Sequence, residues 1–129
     1  MEGLQYLDER KLVWEALSEL YLDTELQDSD FQYVIRILVK SPFTFEEIKK
    51  IDQYEVFPVL FSNLLIPAGE WAGFDGKRLA KNIMNWIGSR SQLDIFAIKC
   101  IYVLYEPINK AYWEKLEEMY NQTDISDSH

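Results

Sequence analysis

Leu12, Val13, Ala16, Leu17, Leu20 and Tyr21 recur at intervals of three and four residues, and the same spacing returns in Phe31, Val34, Ile35, Leu38 and Val39. Such a period lines apolar side chains along one stripe of an α-helix, which turns once in about 3.6 residues. The alternation and tight-turn pairs that mark hairpins are missing. The sequence therefore predicts an all-α chain, a single compact bundle of about seven short helices. Its 129 residues suit one domain. That domain is expected over residues 1–121, with 122–129 as a disordered acidic tail.

Local signals set the boundaries. Asp8 can cap a first helix running to Leu22, and Asp28 or Ser29 a second running to about Lys40. Pro42 follows as a stop. Thr44 with Glu47 has the spacing of a capping box for a third helix over 45–51, and Asp52 with Glu55 repeats it for a fourth ending near Ser62. Pro58 fits only a first turn, which moves that start toward Glu55 or Val56. Asp75 caps a fifth helix through Ile87, and Ser91 with Asp94 opens a sixth over 92–105. The sixth is apolar around most of its circumference and is expected to be the central buried helix, with Cys100 a buried structural thiol. Pro107 is placed near the start of a last helix ending around Tyr120.

One stretch breaks the helical pattern. Between Asn63 and Gly76, Pro67, Gly69, Gly73 and Gly76 punctuate a segment that still carries Leu64, Leu65, Ile66, Trp71 and Phe74. Two roles are open for Trp71. It plugs the end of the bundle, or it anchors a partner, since aromatics dominate binding hot spots. Glu70 beside it either satisfies helix-end amides or serves as a site carboxylate.

Charge narrows the function classes. The chain carries a net charge of −9, which disfavours nucleic acid and anionic membrane as ligands and favours a basic protein partner. Residues 1–30 hold nine acids against two bases, whereas 31–113 hold eight acids and ten bases, so the acidity is local. Glu15, Glu19, Asp23, Glu25, Asp28 and Asp30 form the candidate docking face, with Glu70 and Trp71 as further partner-binding candidates. A solvated, solubilising helix face is the plainer reading of the same charges.

Catalytic groups are few. The single histidine is the terminal His129, which leaves no triad, general base or zinc site built on histidine. The glycines match no phosphate-binding loop. No enzymatic activity, cofactor or metal is expected. Residues 1–5 lack the basic and apolar regions of a signal peptide, and the lone cysteine suits a reducing compartment, so a cytoplasmic location is expected.

Two segments carry a resemblance. The run from Trp14 to Leu26, and that from Asn63 through Gly69-Glu70-Trp71-Ala72-Gly73-Phe74-Asp75, resemble signature stretches of a family of small bacterial all-helical proteins known as a domain of unknown function. Ser41-Pro42-Phe43 and Glu55 to Val59 fit between them, so the likeness spans roughly residues 10–120. It implies a bacterial setting and carries no catalytic residues over. In size, acidity and class the chain also resembles immunity proteins of bacterial toxin systems, which bind and neutralise a cognate toxin, often a basic nuclease. Two other readings stay open: a carboxylate-based metal-binding or enzymatic bundle using Glu15, Glu19 and Glu70, and a homo-oligomeric adaptor.

Overall fold

The computed structural model describes residues 6–21, 26–64 and 76–127, with side chains at all of these except 62–64, 76–77, 109 and 124–127. Every element among them is helical. Among the described residues there are six α-helices: α1 (Leu7–Ser18), α2 (Asp28–Lys40), α3 (Phe45–Ile51), α4 (Phe57–Leu64), α5 (Gly76–Ser89) and α6 (Gln92–Asp127). A 3₁₀ turn, Glu19–Tyr21, ends the first, and a π-helical segment, Asp52–Val56, joins α3 to α4.

The apolar stripes read from the sequence meet in one core, except that Leu12 of the first stripe is exposed. Trp14 and Leu17 of α1, Val34 and Leu38 of α2, Ile48, Phe57, Leu60, Ile83 and Leu116 are fully buried. Helix α2 packs on α1 and α6, while the π segment touches α1, α5 and α6 and so lies at the middle of the assembly. Tyr21, Phe57, Phe61, Tyr102 and Tyr105 stack edge and face across α4 and α6, with Phe57 and Tyr102 centroids 5.0 Å apart. Such pairs add about 0.5–1.5 kcal/mol each beyond burial.

Several boundaries hold through local bonds. Thr44 Oγ1 accepts the Glu47 N–H (3.1 Å) and Glu47 accepts the Thr44 N–H (2.8 Å), completing the expected box. Ser91 and Asp94 exchange the same pair of bonds at the start of α6. Elsewhere the structure corrects the sequence. Helix α1 begins at Leu7 behind Tyr6, which is left-handed at φ 56°, so Asp8 is a first-turn acid and not the cap. Helix α2 is capped from Gln27, whose N–H donates to the Asp30 carboxylate at 2.8 Å. The Asp75 cap lies outside the described residues.

The largest corrections concern the last two expected helices. They are one helix, because Pro107 lies inside α6 and does not start a new one. That fusion brings the count to six. Inside the helix the proline removes the bond to the carbonyl one turn back and its ring crowds that carbonyl, a cost taken on the exposed side of α6, where Pro107 lies. Helix α6 then continues to Asp127, through most of the stretch expected as a tail. Nor is it centrally buried: Leu93 (75%), Phe96 (63%), Val103 (60%), Leu104 (79%) and Ile108 (73%) are exposed. Cys100 is exposed too, so it is not a buried thiol. Among its described side chains Ile98, Tyr102, Trp113 and Leu116 are buried in the core, and Ile101, Tyr105, Tyr112, Met119 and Tyr120 pack against it half-buried. No described helix is long and apolar enough to cross a membrane.

Candidate functional site

The densest polar chemistry in the molecule is built on the π segment, and Pro58 accounts for its form. Proline has no N–H to offer the carbonyl one turn back, here Tyr54, and its ring crowds that carbonyl. The helix widens instead, so that the Phe57 N–H reaches the Asp52 carbonyl five residues earlier. The Tyr54 carbonyl turns to α5, accepting from Trp86 Nε1 (2.8 Å) and Arg90 Nη1 (2.9 Å). A defect in one helix thus becomes the tie to another.

Widening also aims two carboxylates inward. Asp52 is fully buried; its Oδ1 accepts from the Tyr21 hydroxyl (2.8 Å) and its Oδ2 from the Tyr102 hydroxyl (2.9 Å). Burial pushes its pKa up to about 7, against the lowering effects of the two tyrosine bonds and of Lys49. The same exchange raises both tyrosines, through burial first and the Asp52 charge next. One turn on, Glu55 accepts from Trp14 Nε1 (2.8 Å) and pairs with Arg10 Nη1 (2.8 Å). Arg10 lies 5.1 Å over the Phe43 ring, and its Nε is buried with no acceptor among the described residues. Arg10, Lys50 and Arg90 line a cleft of about 370 Å³ above Phe43 and Ile95. Both guanidiniums there are already engaged through Nη1 with the π segment, so they hold α1 and α5 to it.

None of this was read from the sequence, where Asp52 and Glu55 pass for a second capping box. The available signal was two acids flanked by Ile51, Val56 and Phe57, with a proline four residues after Tyr54.

The predicted acidic face is assembled in part. Glu15 is exposed, and Glu19 and Asp30 are half-exposed. They act on one another across the α1–α2 seam: the Glu19 carboxyl is raised by partial burial, then by the Asp30 and Glu15 charges. Tyr33 of α2 lies in the same field, its hydroxyl raised by burial and then by Glu15 and Glu19. Asp28 is drawn away. It takes an ion pair from Lys115 of α6 at 2.6 Å, a bond that lowers its carboxyl below the ordinary range. Asp23, Glu25, Glu70 and Trp71 lie outside the described residues, and with them the question of plug or anchor.

Of the three carboxylates named for a metal-binding or enzymatic bundle, Glu15 is exposed, Glu19 half-exposed, and Glu70 lies outside the described residues. Among the described residues no group of three or more histidine, cysteine or acidic side chains could hold a metal ion.

No curated protein and no solved structure matches the chain. A family match does cover residues 8–119, nearly the whole helical body from the start of α1 into the last third of α6. The chain accordingly belongs to the family described as Domain of unknown function (DUF7079).

Proposed function

We propose that the protein is a bacterial immunity protein, which binds a cognate toxin with a basic active-site cleft and blocks it through the acidic seam of α1 and α2. The observation that carries this reading is the gathering of Glu15 and Asp30 about Glu19, with Tyr33 in the field of Glu15 and Glu19. Like charges held together at a cost in local energy are what a basic partner would neutralise, and an exposed tyrosine among them supplies an amphipathic contact. The overall charge of −9 adds a long-range field that speeds encounter with a cationic surface. The action takes place in the cytoplasm, where such a toxin would do its damage.

The test is to look for a toxin-like gene beside that of the protein and to co-express the two products. Wild type should protect the host, and E15K/E19K should not, while circular dichroism shows the helices intact. Association measured across a salt series should slow by about tenfold or more from low to high ionic strength, as electrostatically steered encounters do. The absence of a toxin-like neighbour, or full protection by the charge-reversed variant, would sink the proposal.

A further inference from the structure

Between Leu93 and Ala111 the outward face of α6 carries an apolar stripe, edged by the exposed Lys99 and Lys110. Leu93, Phe96, Cys100, Val103, Leu104 and Ile108 follow one another along it, and every one is exposed. A continuous apolar stripe roughly 27 Å long, at 1.5 Å per residue, is of the kind that often marks an interaction site. The acidic seam of α1 and α2 contributes nothing to it.

The stripe is self-complementary when a second copy runs against it in the opposite direction. Centred on Tyr102, an antiparallel pair sets Leu93 opposite Ala111, Phe96 opposite Ile108, Ala97 opposite Pro107 and Cys100 opposite Leu104. Leu93 and Leu104 each meet a smaller residue, which lets two helices approach closely. The flanking charges are centred half a residue away, between Tyr102 and Val103. Lys99 and Glu106 lie on one flank seven residues apart, and a two-fold axis brings each level with the opposite charge of the other copy. In a parallel pair the two-fold axis would put the flanks that carry these residues on opposite sides of the interface. Lys99 has no ion pair among the described residues, and Glu106 has only a long contact, 3.5 Å, to Lys49. At roughly 100 Å² per large apolar side chain, the exposed parts of the five largest give about 350 Å² per copy. A standard interface takes about 800 Å² from each partner. Ala97, Cys100, Pro107, Ala111 and the lysine stems adjoin the five and extend the area toward that figure.

We infer that the protein is a homodimer whose two α6 helices pack antiparallel through this stripe, with Lys99 of each copy paired to Glu106 of the other. Sedimentation velocity over a concentration series tests it. Wild type should sediment as a dimer. Leu104→Glu should raise the dissociation constant by at least roughly tenfold by burying an unpaired charge at the centre. The side chain is largely free of its own fold, so the thermal melt should be otherwise unchanged. Ile108→Lys repeats the test one turn away. K99E should weaken the dimer and K99E/E106K restore it, a rescue that only the antiparallel register predicts. A wild type that stays monomeric throughout overturns the inference, even if stripe variants lose a heterologous partner. So does a dimer untouched by Leu104→Glu and Ile108→Lys, or a charge swap without rescue.

Discussion

Arg10→Met should lower the unfolding free energy by about 3–5 kcal/mol, because it strips the cation from a carboxylate that the core has already enclosed. The two side chains are only 14% and 11% exposed, and their contact spans 45 residues of sequence. Glu55 would keep its bond from Trp14 Nε1 but face the core with an uncompensated charge. The companion variant separates charge from packing. In R10M/E55Q the amide oxygen still accepts from Trp14 while neither partner is ionised, so most of the loss should return. Urea unfolding of the three proteins gives the comparison. A single variant that falls by less than about 1 kcal/mol would place Glu55 in the regime of surface ion pairs. It would mean that water in the adjoining cleft solvates the carboxylate.

What the sequence made legible was whatever depends on neighbours in the chain. The stripes of α1 and α2 and the boxes at Thr44 and Ser91 are local geometry, and each is found where the spacing puts it. Helix α6 shows where that logic stops. Apolar residues on every side mean burial only if another element covers every side, and coverage is a property of the whole assembly. Pro107 likewise reads the same at a first turn or in an interior. Asp52 bonds to partners 31 and 50 residues away, and Asp28 to one 87 away. No window of local pattern contains them. The acidic face falls between these cases: Glu15 and Glu19 share a face by their spacing, whereas Asp30 joins them only because α2 folds back on α1.

Between about pH 4 and pH 7 the wild type should lose stability that an Asp52→Asn variant keeps. In the unfolded chain this carboxyl titrates near its ordinary 3.8, and in the folded protein near 7. Below the lower value both states hold the proton, so the group contributes no pH dependence. Between the two the unfolded state ionises while the folded state stays neutral, and each pH unit costs the fold about 1.4 kcal/mol. Above the upper value both are ionised and the penalty levels off, at an order of 4 kcal/mol over the whole span. Asparagine keeps the shape and one acceptor, and a tyrosine hydroxyl can take a bond from its amide, so the exchange should cost about 1 kcal/mol where the acid is neutral. The two stability curves should therefore cross: wild type ahead by a little at pH 4, the variant ahead by a few kcal/mol at pH 8. The raised Glu19 acts in the same direction and the lowered Asp28 in the opposite one, and both cancel in the difference. Parallel curves from urea unfolding across this range would show that Asp52 is ionised in the folded core throughout, held by Tyr21 and Tyr102 strongly enough to outweigh its burial.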